Sequence, residues 1–128
     1  MASNILPDTC AWIDFFRGSP THQAELVNAA IIQGEVVTCG VVLYELLQGI
    51  RNPAEEQKVL AAFQCIPHLE MTAKLWITAG QLSSNLRSSG HTIPMSDIVI
   101  AILAVEHGSS VLTVDRHFAD IPGIKVLV

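Results

Sequence analysis

The sequence predicts a single α/β domain with a mainly parallel central sheet flanked by helices. Three observations carry this. Short β-branched runs alternate with longer stretches of helical periodicity, the pattern of parallel strands joined by right-handed crossovers. Within Ser96-Asp-Ile-Val-Ile-Ala-Ile-Leu-Ala-Val-Glu-His107, every residue from Ile98 to Val105 is apolar, so this helix belongs packed on a sheet rather than at the surface. Val111 to Val114 then reads as a buried strand that ends in Asp115, which puts a carboxylate at a strand's carboxyl end, where open α/β sheets place their chemistry.

Taken in order, Ile5-Leu6 begins a short strand that breaks at Pro7-Asp8. Thr9 is placed to cap a helix through Cys10-Ala-Trp-Ile-Asp-Phe-Phe16, which Gly18-Ser-Pro20 ends. Thr21 to Gln33 has Leu26, Val27, Ala30 and Ile31 at helical spacing and closes at Gly34. Val36-Val-Thr38 is the next strand, and Gly40 opens a helix through Leu47 in which Glu45 is the lone charge. Pro53 suits the first turn of a further helix, with Glu55 and Glu56 near its positive end and Val59, Leu60 and Phe63 facing inward. Ile66 starts a brief strand before Pro67. Thr72 to Arg87 is the longest helix, with Leu75, Trp76, Ala79, Leu82 and Leu86 as its core side. Ser96 caps the apolar helix, Gly108 stops it, and Gly123 to Val128 forms the last strand.

The chain's 128 residues suit one domain spanning 1–128. Half of them are hydrophobic and 15% are charged, which argues against disorder. A net charge of −5 lacks the basic footprint of general nucleic-acid binders, unless bound cations reverse the local field. The longest apolar run has eight residues, too short to cross a bilayer, and Pro7-Asp8 interrupts any leader-like start, so the expected location is the cytoplasm. Cys10, Cys39 and Cys65 form no C-x-x-C pair and read as reduced packing residues.

Four acids stand where apolar periodicity predicts burial or a strand end: Asp8, Glu45, Asp97 and Asp115. A lone buried carboxylate is unfavourable, and one hard cation, Mg²⁺ or Mn²⁺, could satisfy several together. Metal-assisted phosphodiester hydrolysis is the chemistry such a set supports. Spacing excludes others: Glu106 lies about 13 Å beyond Asp97 along one helix, and Asp14 about 9 Å beyond Asp8, where it faces solvent or a neighbouring Arg. The bland alternative is that these acids are caps and structural ion pairs, Asp97 above all, because a first helical turn favours Asp through the dipole.

The segments Pro7-Asp-Thr-Cys-Ala-Trp-Ile-Asp-Phe-Phe-Arg-Gly18, Val41-Val-Leu-Tyr-Glu-Leu-Leu-Gln-Gly49, Ser96-Asp-Ile-Val-Ile-Ala101 with Glu106-His-Gly108, and Leu112-Thr-Val-Asp-Arg-His-Phe118 resemble the ordered motifs of PIN-domain ribonucleases, nearest to VapC toxins of toxin-antitoxin pairs. The resemblance spans nearly the whole chain. It implies a PIN-like fold in which Asp8, Glu45, Asp97 and Asp115 form the site of a Mg²⁺- or Mn²⁺-dependent endoribonuclease, with Thr9 and Thr113 as hydroxyls beside the acids. It also implies an RNA substrate, a homodimer and a VapB-like antitoxin. Two departures stand out: Pro7 replaces a β-branched residue, and His117 replaces an acid two residues after Asp115, which argues against a stable second metal.

Arg17, Arg51 and Arg116 could contact phosphate, Arg116 foremost since it adjoins Asp115, although solvated surface is the default for each. His117 could serve as a general acid or simply begin a helix. Trp12, Phe15 and Phe16 could stack on bases or fill the core, whereas Trp76 and Leu75 belong to the core. Two other functions compete. A receiver-type signalling domain would also gather Mg²⁺-binding acids but needs a late strand-end Lys, and Lys125 lies inside the last strand. A catalytically silent PIN-like interaction module would not need all four acids.

Overall fold

The computed structural model describes residues 4–127. Its three-stranded sheet is parallel throughout, in the order β1 (Ile5–Pro7), β4 (Ser110–Leu112), β5 (Val126–Leu127), with Leu6 opposite Val111 and Val111 opposite Val126. A parallel bridge from Ile5 to Val36 leads to a second parallel ladder of β2 (Thr38–Cys39) and β3 (His68–Leu69). The connections are α1 (Thr9–Arg17), α2 (His22–Gln33), α3 (Gly40–Gln48), α4 (Pro53–Phe63), α5 (Ala73–Ser88) and α6 (Met95–His107), followed by a 3₁₀ turn at Arg116–Asp120. The alternation predicted from the sequence is therefore the architecture found.

The core is centred on α6, which packs against α5, α3 and β4 and is buried without interruption from Ile98 to Ala104. A helix apolar on all sides is stable only when neighbours cover it, and here they do. Val105, at the end of that run, is already exposed. Gly108 ends α6 at φ +66°, a left-handed conformation that glycine adopts without a Cβ clash. A second focus is aromatic: Trp12 lies fully buried with its ring 4.8 Å from Phe63 and 5.6 Å from Phe16, joining α1 to α4. Trp12, Phe15 and Phe16 thus serve packing.

Several expected boundaries move, each for a local reason. Asp8, not Thr9, caps α1, because its carboxylate accepts from the Ala11 amide at 2.9 Å while the Thr9 hydroxyl donates to Glu45. Pro94, not Ser96, occupies the cap position of α6; its carbonyl accepts from the Ile98 amide, and Ser96 falls inside the first turn. The strand expected at Val36–Thr38 lies at Thr38–Cys39, and the one expected from Ile66 lies at His68–Leu69. β4 stops at Leu112 because Thr113 turns its hydroxyl inward and the Asp115 amide bonds to it, leaving Val114 63% exposed. The last strand covers Val126–Leu127, with Lys125 just ahead of it and Val128 outside the described residues.

Trp76 is 47% exposed, contrary to its expected core position. Leu75, Ala79 and Leu86 form the buried side of α5, and one residue on, about 100° round the axis, Trp76 turns away from it. Among the described residues Asp14 pairs with no Arg; it accepts from Thr21 Oγ1 at 3.0 Å and Gln23 Nε2 at 2.8 Å, tying α1 to the start of α2. Of the cysteines only Cys39 is buried, and burial pushes its thiol up to about 11; Cys10 and Cys65 are exposed. No helix among the described residues is long and apolar enough to cross a membrane.

Candidate active site

The parallel sheet brings the ends of β1 and β4 side by side, so Asp8 and the Thr113–Asp115 turn emerge at the same edge. Both carboxylate oxygens of Asp8 are held. Oδ1 accepts from the Ala11 amide, and Oδ2 accepts a short hydrogen bond from Thr113 Oγ1. Thr113 Oγ1 in turn accepts from the Asp115 amide at 2.9 Å, so one buried hydroxyl links residues from opposite ends of the chain. Glu45 reaches the same region from α3, its Oε1 accepting from Thr9 Oγ1 at 2.7 Å. Thr9 and Thr113 thus each donate a hydroxyl hydrogen bond to one of the acids.

Asp97 arrives from the first turn of α6 and Asp115 from the start of the 3₁₀ turn. His117 completes a compact group with them: one ligand atom from each of Asp97, Asp115 and His117 lies within 4.8 Å of the others. The imidazole Nδ1 is 3.4 Å from Asp97 Oδ2 and 3.2 Å from Asp115 Oδ1. Asp8 and Glu45 flank this group without entering it. Arg116 is exposed and makes no ion pair among the described residues.

Electrostatics mark the cluster as short of positive charge. Burial holds the Asp8 carboxyl above its ordinary range; the bonds from Thr113 and Ala11 pull it back, while Asp115 and Glu45 push it higher. Asp97 is raised chiefly by burial, opposed by the His117 hydrogen bond and reinforced by Asp115 and Asp8. Although Cys10 is exposed at the surface, partial burial lifts its thiol, and Asp8 and Asp115 lift it further. Carboxylates that resist ionising together gain most from a cation between them, and the donors here, carboxylate oxygens with one imidazole nitrogen, fit a divalent metal ion.

The profile of the PIN domain family matches residues 5–124, the span that carries all of these side chains. The chain belongs to the PIN domain family. Among curated relatives, this PIN domain is 31% identical to Ribonuclease VapC19 of Mycobacterium tuberculosis over 124 residues, covering 94% of this chain and 96% of that protein. It is 25% identical to VapC ribonuclease Mb1587 of Mycobacterium bovis over 118 residues, 89% and 88% of the two chains. Its fold superposes on DNA-bound VapBC from Salmonella typhimurium with a TM-score of 0.78 at 24% identity, covering 98% of each chain. VapBC2 from Rickettsia felis, bound to a promoter DNA fragment, gives the same TM-score at 20% identity over 96% of each chain.

Sequence reasoning brought the four acids to one neighbourhood but left His117 outside the ligand set. Its signal was present. An Asp-x-His spacing in a tight turn places the imidazole over the carboxylate two residues earlier, and the His117 amide donates to Asp115 Oδ1 at 2.9 Å.

Proposed function

We propose that this PIN domain is a Mg²⁺- or Mn²⁺-dependent endoribonuclease that hydrolyses RNA phosphodiester bonds as the toxin of a VapBC-like pair. The observation that carries this reading is the gathering of Asp97, Asp115 and His117 within 4.8 Å, with Asp8 and Glu45 alongside, at the carboxyl ends of two parallel strands. The relatives' designation as ribonucleases supports RNA as substrate, and the description of VapBC as a family of toxin-antitoxin systems supports an antitoxin as partner.

In this reading Asp97 and Asp115 would hold the ion, with Asp8 and Glu45 completing the site directly or through water, and Thr113 fixes Asp8 in orientation and opposes the rise of its pKa. When bound, a divalent ion supplies positive charge to the scissile phosphate and lowers the pKa of an attacking water. The acids make the unliganded pocket negative, so a bound cation would be needed to reverse the local field for a polyanion such as RNA. Thr9 holds Glu45 through its hydroxyl, and exposed Arg116 is free to meet two oxygens of a phosphate bidentately.

A groove of about 570 Å³ is lined by Glu45 together with apolar Ile13, Phe16, Leu46 and Ile50 and charged Arg17, Glu55 and Lys58. A blocking antitoxin would reach the acids from there. By the same reading the working form is a homodimer. Purified protein freed of antitoxin should cut a panel of structured RNAs at discrete positions with Mn²⁺, and chelator or Asp115→Asn should abolish the cuts. Cleavage that survives both would remove the metal-nuclease assignment.

A further inference from the structure

We infer that His117 supplies its Nδ1 as a metal ligand alongside Asp97 and Asp115, so that this site selects a first-row transition ion over Mg²⁺. The inference rests on the metal-nuclease reading above and specifies which ion the site is built for. Three features of the turn carry it. The His117 amide is tied to Asp115 Oδ1 at 2.9 Å, which fixes the backbone so that the ring swings back over the carboxylates. Nδ1, rather than Nε2, faces both of them, at 3.2 Å and 3.4 Å. The three donor atoms fall within 4.8 Å of one another, close to the spread of ligands around one ion with bonds of about 2.0–2.2 Å.

The chemistry of such a mixed set differs from that of carboxylates alone. Mg²⁺ is bound through oxygen in a near-ideal octahedron and gives up water reluctantly, whereas an imidazole nitrogen suits the first-row transition ions. To coordinate, the ring carries its proton on Nε2, leaving the Nδ1 lone pair toward the ion. Half of the His117 side chain is exposed, so that tautomer needs no buried partner: Nε2–H can donate to water or to an RNA oxygen.

The test uses the full chain stripped of metal by chelator. Mn²⁺ affinity is read by electron paramagnetic resonance of the free ion, Mg²⁺ affinity by competition, and nitrogen coordination by electron spin-echo modulation of bound Mn²⁺. The wild type should bind Mn²⁺ with a directly coupled nitrogen. His117→Asp, which makes the set all-oxygen, should lose that coupling and lower the Mn²⁺-over-Mg²⁺ preference by about tenfold or more, the scale on which even outer-shell partners alter metal affinity. His117→Gln serves as a second variant with the same expectation for the nitrogen signal. Bound Mn²⁺ without nitrogen coupling, or an unchanged preference in His117→Asp, overturns this inference and leaves the nuclease reading standing. If the wild type binds neither ion, both fall.

Discussion

Thr113→Val is the substitution whose consequences follow most directly from the geometry. Valine keeps the shape of threonine and removes only the hydroxyl, so two hydrogen bonds are lost with no cavity formed. The bond to the Asp8 carboxylate is charge-assisted, a class that contributes about 1.5–3 kcal/mol. The bond from the partly exposed Asp115 amide belongs to the neutral class, at about 0.5–1.5 kcal/mol, and water can replace it in part. The expected loss near neutral pH is about 2–4 kcal/mol, a fall in Tm of about 8–16 °C for a domain of this size.

The loss must also depend on pH, with a definite sign. Burial already raises the folded pKa of Asp8 above the ordinary range of an aspartate, so this group's contribution to stability declines as pH rises from that range through the folded pKa. The Thr113 bond opposes that rise. Removing it lifts the folded pKa further, and the gap between variant and wild type widens with increasing pH. Urea denaturation at pH 4 and pH 7.5 measures both values. A loss equal at the two pH values, or under about 0.5 kcal/mol at pH 7.5, would refute the claim that Thr113 supports an ionised Asp8.

Other outcomes follow from the same structure. Asp8→Asn keeps the cap on Ala11 while removing a buried charge; it should abolish cleavage yet melt higher than the wild type at pH 7.5 in chelator, and a lower melting temperature would contradict the burial argument. Leu103→Ala opens a cavity in the fully buried middle of α6 and should cost about 2–5 kcal/mol in urea unfolding. Gly108→Ala forces a Cβ into a left-handed conformation and should cost about 1–2 kcal/mol, read as a lower denaturation midpoint. A thiol reagent should label Cys10 and Cys65 in the native protein and reach Cys39 only after unfolding, as mass spectrometry would report.

The sequence was most legible where one residue type had one physical use. The apolar run of α6 required cover on all sides, and Gly34 and Gly108 end their helices as their positions predict, each in the left-handed conformation. Boundaries were less legible where two residues competed for one task. Asp8 and Thr9 both suit a cap, and only the presence of Glu45 opposite, thirty-six residues away, decides that Thr9 turns to it. The strand ending in Asp115 reads as continuous because Val114 is β-branched, yet a side-chain bond at Thr113 breaks it first. Trp76 misleads because helical spacing admits two adjacent residues to one face and only tertiary contacts choose between them. At His117 the sequence alone admits a general acid or a helix start, because its partners, Asp97 and Asp115, meet it only after the turn has formed.

The hydroxyl bridge between Asp8 and Thr113 spans 105 positions of the chain. During synthesis, at about 5–20 residues per second, the ribosome therefore works for about 5–20 s after making Asp8 before it adds the residue that holds that carboxylate in place. Strand β1 waits as long for its β4 neighbour. A nascent chain released before Asp97 would carry Asp8 and Glu45 but neither Asp115 nor His117, and so no complete cluster. An RNA-cutting protein assembled in this order stays harmless to the messenger being translated until nearly all of it has emerged.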